Sequence, residues 1–286
     1  MNLPDDLERL LPLDKSWMIR MGMLDLQANS DQSLVFLRNH RTELGDDLLA
    51  LLSVLESWKS EAQLDVGESG TLFRFVQYYC WLIGDPREII RHGTLKNREL
   101  YSNPNVVKMN LSELLSLDGG TSQWASAAVL FGVLTLNREE TIPYKLQTTV
   151  EALGHWRHAQ ETDEPWLPRV DETIRKQAAA YMDWRRTGKI EFAPEQAEDF
   201  LFACTFGLMT PKEGENSWPQ LRNHESDRIV EMRRLLDSDV IDSADHRVVQ
   251  ALAMRFPQRK ITERSKKAVN KTWPQFWAFL RLAQGL

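Results

Sequence analysis

The chain has 286 residues, of which 42 % are hydrophobic, so it is long enough to bury the cores of two domains of ordinary size. Its formal net charge of −6 argues against a nucleic-acid or anionic-membrane surface as the main partner. A small anionic ligand stays compatible with that charge, because a local group of arginines can outweigh the global sign.

The two cysteines, Cys80 and Cys204, lie in apolar runs. We interpret them as small buried side chains in a reducing compartment, not as a disulfide or metal framework. The N-terminal stretch shows no basic region followed by an apolar one, and no apolar run is long enough to span a bilayer. We therefore expect a cytoplasmic protein.

Two helices are predicted near the N terminus. Residues 12–20 form a helix start on which Lys15, Ser16 and Arg20 would point near one another. The alternative is an amphipathic helix whose lysine and arginine extend their polar ends to solvent. Residues 46–58 place leucines at helical spacing behind two aspartates, which suits a helix N terminus.

A pattern of strand, polar turn and helix then recurs along the chain. Its four instances are residues 63–84, 106–136, 189–209 and 217–236. Between them, the polar and proline-containing stretch 155–189 predicts a linker or domain crossing, with a helix in residues 174–187 that ends at Gly188. Helices that alternate with strands indicate an α/β or α+β architecture.

Two Gly-rich turns, residues 67–71 and 119–123, precede apolar helices. Such a turn presents unpaired backbone N–H groups at the positive end of a helix dipole, which favours anions. Gly70 allows a ligand to approach the backbone, Arg74 can reach back from one turn later, and Gln123 adds donors. The alternative is that each turn only caps its helix.

A dense group of charges stands at the start of the fourth helix. Arg222, His224, Glu225, Asp227 and Arg228 lie within seven residues. One interpretation is a solvated helix N terminus, and the other is an anion site that contains a proton-handling carboxylate.

Two further cations precede apolar helices near the C terminus. Arg247 follows Asp245 directly ahead of one helix, and Lys271 lies in a turn before Pro274, which we place at a helix start.

Six segments, in this order, resemble one protein family. They are KSWMIR (15–20), GTLFR (70–74), TSQWASAAVL (121–130), HESDRIVEM (224–232), DHRVVQALAM (245–254) and NKTWPQFW (270–277). Together they resemble the 5-enolpyruvylshikimate-3-phosphate synthases, which are enolpyruvyl transferases. The resemblance extends from Lys15 to Phe276, almost the whole chain.

The resemblance implies a fold of two globular domains, each built from repeated βαβαββ units, with the active-site cleft between them. One domain would comprise residues 1–14 and 160–286, and the other residues 15–159. Because the chain is shorter than the family norm, parts of some units are expected to be missing.

The resemblance also implies an activity. The family transfers the enolpyruvyl group of phosphoenolpyruvate to the 5-hydroxyl of shikimate 3-phosphate, a step of aromatic amino-acid and chorismate biosynthesis, and uses no metal or organic cofactor. The implied partners are therefore these two small anions, without nucleic acid or membrane.

Site residues follow from the same resemblance. It implies catalytic roles for Lys15, Asp199 and Glu225, which would transfer protons. The implied substrate-binding residues are Ser16, Arg20, Gly70, Arg74, Arg98, Thr121, Ser122, Gln123, Tyr144, Gln220, His224, Arg228, Arg247 and Lys271.

Departures from the family pattern leave a second hypothesis open. His224 stands where the family has a lysine, and Glu68 stands where it has an asparagine, beside an expected anion site. The alternative function is therefore a non-catalytic or re-purposed relative that binds a phosphometabolite on the same scaffold.

Overall fold

The structure is a computed structural model, and it describes residues 3–136, 143, 146–223 and 226–285, with only the backbone of Asn223. The α-helices within those residues are, in chain order, α1 (Asp5–Glu8), α2 (Lys15–Ala28), α3 (Gln32–Asn39), α4 (Asp46–Ser57), α5 (Gly70–Ile83), α6 (Gly93–Lys96), α7 (Leu111–Ser116), α8 (Gln123–Leu130), α9 (Gln147–Thr162), α10 (Glu172–Thr187), α11 (Phe200–Thr205), α12 (Pro211–Ser217), α13 (Arg228–Leu235), α14 (His246–Arg255), α15 (Glu263–Ala268) and α16 (Phe276–Gly285).

Strands and 3-10 helices are short. The strands of the described chain are β1 (Gln63–Asp65), β2 (Glu88–Ile90), β3 (Val240–Ile241) and β4 (Lys260–Ile261). The 3-10 helices are Arg41–Glu43, Pro104–Lys108, Leu117–Gly119, Ala197–Asp199, Pro219–Asn223 and Val269–Lys271.

The strands form two parallel pairs, and in each pair a helix connects the first strand to the second. Strand β1 pairs with β2, with Leu64 opposite Ile89, and α5 connects them. Strand β3 pairs with β4, with Ile241 opposite Ile261, and α14 connects them. A mostly helical chain with two βαβ connections is of the predicted α/β or α+β class.

The chain forms two compact units. The continuous unit comprises Leu13–Arg169, and the discontinuous unit comprises Met1–Pro12 and Val170–Leu286. We predicted divisions after residues 14 and 159, but α9 extends to Thr162 and packs on α2 and α8 of the continuous unit. The second division therefore falls after Arg169, ten residues later than predicted.

The core of the continuous unit surrounds α2. This helix packs against α3, α4, α5 and α9, and its side chains Met18, Ile19 and Met21 are fully buried. The buried carboxylate of Asp25 accepts hydrogen bonds from the Trp156 indole (2.9 Å), the Trp166 indole (3.2 Å), and the backbone and hydroxyl of Ser33. These bonds connect α2 to α3, α9 and the segment after α9.

The core of the discontinuous unit surrounds α14, which packs against α11, α13 and α15. The first twelve residues join this core: Leu7 is fully buried, and the Trp273 indole donates to the Leu10 carbonyl at 2.6 Å. A salt bridge of 2.9 Å between Arg175 and Glu8 also holds α1.

Three predicted helices and one predicted strand form as expected. Helix α5 starts after Ser69, whose hydroxyl accepts from the backbone of Leu72, and it ends at Gly84 in the left-handed conformation. Helix α10 is capped by Asp171 and ends at Gly188, also left-handed. The predicted helix at residues 46–58 is α4, and the predicted strand at 63–65 is β1.

Other predicted elements are wrong. The segment 106–136 was expected to begin with a strand, but Asn103 caps a 3-10 helix that begins with Pro104. Residues 190–192 have no partner strand in the described chain, and Pro219 starts a 3-10 helix instead of a strand. The predicted linker 155–189 is mostly α9 and α10. Helix α16 begins at Phe276, two residues after Pro274.

Within the residues that the structure describes, no helix combines the length and the apolarity that a bilayer crossing requires.

Candidate functional site

The start of α5 is shaped by the turn that follows β1. The Asp65 carboxylate accepts from the backbone N–H of Gly67 at 2.8 Å, and Gly67 adopts a φ of +57° that favours glycine. Ser69 then caps α5, so that Gly70 and Thr71 stand in the first turn, where a helix offers no carbonyl of its own to their N–H groups. The positive end of the α5 dipole is therefore at Gly70.

Arg74 is held against this helix start. Its Nη1 donates to the Gly70 carbonyl (2.9 Å) and to the Gln123 side-chain oxygen (2.5 Å), and its Nε donates to Asp118 (2.6 Å). Burial lowers the pKa of Arg74, Asp118 opposes that effect, and Arg98 adds to it by repulsion. Its Nη2 has no hydrogen-bond acceptor in the described part of the chain.

Arg98 brings a second guanidinium to the same place. A Cβ atom built on Gly70 would lie 3.2 Å from Nη1 of Arg74 and 3.7 Å from Nη1 of Arg98. Arg98 makes a weak hydrogen bond of 3.4 Å to the Thr94 hydroxyl, and no carboxylate pairs with it among the described residues. Two cationic groups therefore border the Cα of Gly70, and one of them has its charge uncompensated.

Gln123 joins the starts of α5 and α8. Its amide nitrogen donates to the Thr71 hydroxyl at 2.6 Å, while its oxygen accepts from Arg74. Two more predicted residues precede it. Thr121 accepts weakly from the Gln123 backbone at 3.4 Å, and Ser122 is the N-cap residue of α8 without a side-chain capping bond. The polar turn before α8 thus lies next to the anion-favouring end of α5.

Asp118 positions Arg74, and sequence reasoning missed it. Its carboxylate accepts from Arg74, from the Trp124 indole (2.9 Å) and from the backbone of Tyr101 (2.7 Å). Its φ of +49° is unusual for a residue with a side chain. Its position just before Gly119–Gly120 is the one local signal, but the contact with Arg74 spans 44 residues.

Glu68 does not remain as an unbound charge beside Gly70. Its Oε2 accepts from the backbone N–H of Thr94 (2.9 Å) and from the Thr94 hydroxyl (3.1 Å). The carboxylate thus caps the start of α6, the short helix that leads to Arg98. The sequence raised the concern that Glu68 would oppose an anion at this site. In the structure, its carboxylate is instead bound to Thr94 at the start of α6.

A second predicted cluster lies at the start of α2. Lys15 forms an ion pair of 2.6 Å with the buried carboxylate of Asp47 at the start of α4. Arg20 donates to the carbonyl of Ser16 (2.7 Å), as expected for residues four apart on one helix. Arg20 and Ser16 are therefore in contact, whereas Lys15 is directed to a carboxylate of α4.

Arg20 is 5 % exposed and has no carboxylate partner in the described chain. Its Nε donates to the Thr149 hydroxyl (2.8 Å), its Nη2 donates to the Ser126 hydroxyl (3.3 Å), and it stacks over Phe75. Burial lowers the pKa of Arg20 from 12.5 to about 10, an effect that the negative charge of Asp14 partly offsets. The groups that form hydrogen bonds with Arg20 are neutral, so the charge of Asp14 offsets only part of the cost of burying this cation.

In the discontinuous unit, Arg228 is bound to a capping carboxylate. Its Nε and Nη2 donate to the two oxygens of Asp245, at 2.9 and 3.3 Å, and both side chains are buried. Asp245 also accepts from the backbone of Arg247 and the hydroxyl of Ser226. An internal anion thus occupies the positive end of α14.

The remaining predicted cations of this unit lie around α14 and its neighbours. Arg247 donates to Asp171, the cap of α10, at 3.3 Å. Lys271 is half-buried at the end of the 3-10 helix that precedes Trp273, and Gln220 is half-buried in another 3-10 helix.

Asp199 lies at a different helix start of the discontinuous unit. It accepts hydrogen bonds from the backbones of Glu195 (3.1 Å) and Gln196 (3.3 Å) and from the Gln177 side chain (3.2 Å). Burial raises its pKa, although these bonds favour the charged form. In the structure, Asp199 acts as a buried cap of the turn before α11.

The structure brings together Gly70, Arg74, Arg98 and Gln123, with Thr121 and Ser122 adjoining them. Lys15, Ser16 and Arg20 form a separate group within the same unit, whereas Asp199, Gln220, Arg228, Arg247 and Lys271 belong to the discontinuous unit. The predicted residues Tyr144, His224 and Glu225 lie outside the described residues.

Several carboxylates were missed by sequence reasoning. Asp47, in the first turn of α4, binds Lys15, and Asp171, the N-cap residue of α10, binds Arg247. Aspartates at helix starts are common caps, so that their sequence position alone does not reveal the cation that they bind.

The chain was also compared with protein-family models, with curated proteins and with solved structures, and none of them matches it.

Proposed function

We propose that the start of α5 binds phosphoenolpyruvate, and that the protein transfers the enolpyruvyl group to the 5-hydroxyl of shikimate 3-phosphate. The ordered motifs support this proposal, and so does the geometry of α5. The observation that carries it is the approach of the Arg74 and Arg98 guanidinium groups to Gly70. Guanidinium groups bind phosphate and carboxylate oxygens by charge-assisted, often bidentate hydrogen bonds.

The proposed reaction has two steps. The 5-hydroxyl oxygen forms a bond to C2 of phosphoenolpyruvate while C3 gains a proton and the hydroxyl loses one. The C2–O bond to phosphate then breaks, C3 loses a proton, and inorganic phosphate leaves. Proton transfer of this kind is assigned to Lys15, Asp199 and Glu225 by the family resemblance. On this proposal, the two βαβ connections belong to incomplete βαβαββ units.

The test begins with binding. The purified protein should bind phosphoenolpyruvate in calorimetry, and Arg98→Ala should weaken that binding about tenfold or more, because a hydrogen bond to a charged group contributes about 1.5–3 kcal/mol. Lys96→Ala is the matched control, since it removes an exposed cation from the same short helix. Equal losses in both variants would contradict a specific site at Gly70.

Turnover is measured separately. Mixing the protein with phosphoenolpyruvate and shikimate 3-phosphate should release inorganic phosphate, and Glu225→Gln should abolish the release. Absence of phosphate release from the wild-type protein, under conditions in which both substrates bind, would contradict the transferase.

A second candidate function is supported by the ion pairs. Lys15, Arg228 and Arg247 each bind a carboxylate of their own unit, which reduces the positive charge that they offer to substrates. This arrangement favours a phosphometabolite-binding protein without turnover. This function predicts that phosphoenolpyruvate binds and that its binding depends on Arg98. It also predicts that no phosphate is released, whether one substrate or both are present.

A further inference from the structure

We infer that Glu68 is a positioning residue for the anion site, and that it acts through Thr94 to hold Arg98 beside Gly70. The inference rests on the proposed function, since it concerns how the same site is assembled. It assigns a role to the residue that, by sequence alone, should weaken anion binding there.

The first step is the contact between Glu68 and Thr94. One carboxylate oxygen accepts both the backbone N–H and the hydroxyl of Thr94, at 2.9 and 3.1 Å. Gly93 makes this contact possible, because its φ is +46° and a Cβ atom there would lie 2.0 to 2.4 Å from the carboxylate of Glu68. A larger residue at position 93 would therefore displace the carboxylate.

The second step is the contact between Thr94 and Arg98. The Thr94 hydroxyl accepts from Nη2 of Arg98 at 3.4 Å, while Nη1 of Arg98 is the atom closest to Gly70 in this side chain. A hydroxyl that donates its hydrogen to Glu68 keeps its lone pairs for the arginine. The chain of contacts from Glu68 through Thr94 thus sets the direction of the guanidinium.

The surrounding loop depends on the same turn. The backbone N–H of His92 donates to the Gly67 carbonyl at 2.8 Å, and the His92 ring contacts Asp65 at 2.9 Å. The segment before α6 is therefore attached to the turn before α5 through His92, which precedes Gly93 and Thr94. The segment that carries Arg98 is thereby held next to the start of α5, which Arg98 borders.

A purely electrostatic role of Glu68 predicts the opposite change in anion affinity when Glu68 is removed. If Glu68 acted mainly as a negative charge near the site, its removal would strengthen anion binding. If it positions Arg98, its removal weakens anion binding, and the effect disappears when Arg98 is absent. The sign of the change therefore separates the two roles.

The experiment measures the affinity of the full-length protein for inorganic phosphate by calorimetry. Glu68→Ala and Thr94→Val should each weaken binding about fivefold, which is the effect of a typical hydrogen bond. Thr94→Ser, which keeps the hydroxyl, should retain wild-type affinity. In the Arg98→Ala background, Glu68→Ala should have no further effect. Unchanged or tighter binding by Glu68→Ala, or an undiminished loss without Arg98, would overturn the inference.

A ligand-free measurement separates this inference from the proposed function. Backbone hydrogen exchange of residues 93–98 should accelerate in Glu68→Ala, because the Thr94 N–H loses its acceptor. Wild-type protein that binds no phosphate would remove the proposed function, and the exchange rates would still decide whether Glu68 orders this segment. Equal exchange in wild type and variant would refute that ordering, whatever the affinities are.

Discussion

The two βαβ connections share a topology but differ at the start of the connecting helix, which is α5 in one and α14 in the other. Helix α5 starts with a neutral cap, Ser69, and of its two neighbouring guanidinium groups Arg74 pairs with the buried carboxylate of Asp118, whereas Arg98 pairs with no carboxylate among the described residues. Helix α14 starts with Asp245, a fully buried carboxylate that accepts from the helix backbone and binds Arg228 through two bonds.

The difference teaches that the cap residue decides whether a helix start is available to an external anion. A helix N terminus carries about half a positive charge whichever fold it belongs to. In α14 the capping aspartate compensates that charge and a buried arginine as well. In α5 the serine leaves the charge uncompensated, and Arg98 adds to it.

The largest expected effect follows from breaking the α14 arrangement. Asp245→Ala removes the opposite charge and the two hydrogen bonds that Asp245 accepts from the buried Arg228, and breaking a buried ion pair on one side costs about 3–5 kcal/mol of unfolding free energy. Burial raises the pKa of Cys80 and of Cys204 to about 12, so that labelling of either thiol at pH 8 reports opening of its own unit. The variant should accelerate labelling of Cys204 and leave that of Cys80 unchanged.

The control for this prediction is Asp242→Ala. It removes a more exposed aspartate that also precedes α14 in the sequence and that pairs with Arg264. It should change the labelling of Cys204 far less. Equal acceleration at both cysteines in Asp245→Ala would contradict the assignment of this ion pair to the stability of the discontinuous unit.

A smaller effect is expected when α5 is made to resemble α14. Ser69→Asp keeps a capping oxygen and adds a negative charge at the helix start, so that stability of the continuous unit should be retained. Phosphate affinity should fall about tenfold, because a like charge a few ångströms away costs more than 1 kcal/mol near a protein surface. Ser69→Asn, a neutral cap, is the matched control. Undiminished affinity in Ser69→Asp would exclude α5 as the phosphate site.

The smallest effect concerns a capping carboxylate without a cation. Asp199 caps the turn before α11, no cation pairs with it among the residues described, and burial raises its pKa. A raised pKa in the folded state means that the stability contribution is complete below the unfolded pKa and is lost as the pH rises through the folded pKa. Above about pH 4, the wild type should therefore lose stability relative to Asp199→Asn.

The measurement is the unfolding free energy of both proteins by denaturant titration from pH 3 to pH 7. The slope of the difference stays below about 1.4 kcal/mol per pH unit, the limit for one titrating group. Asp237→Asn, at an exposed position of the same unit, corrects for the removal of a charge. A parallel pH dependence of wild type and Asp199→Asn would show that burial does not perturb this carboxyl.

The sequence predicted elements whose signals are local. The turn, cap and apolar face of α5 lie within one stretch of chain, and so do the cap and the terminal glycine of α10. The strand predicted at the start of the segment 106–136 does not form because Asn103 and Pro104 start a helical turn, which outweighs the β-branched residues after them. The short extended stretch at 190–192 lacks a neighbour to pair with in the described chain.

The candidate site was predictable only in part, for the same reason. Gly70, Arg74 and Gln123 could be selected because each stands at a helix start in the sequence. The carboxylates that bind the cations could not, since Asp118 is 44 residues from Arg74 and Asp47 is 32 residues from Lys15. Whether a predicted cation is compensated is therefore a property of tertiary packing.

The interleaved order of the two units has a consequence for synthesis of the chain. The continuous unit can fold from one uninterrupted stretch of chain. In contrast, the Leu10 carbonyl receives its hydrogen bond only after Trp273, 263 residues later, has been synthesised. At about 5–20 residues per second, the ribosome takes on the order of tens of seconds to supply that partner. Until then Leu7, which is fully buried in the folded protein, lacks part of the core that covers it, so that this segment is exposed to chaperones while the continuous unit can already fold.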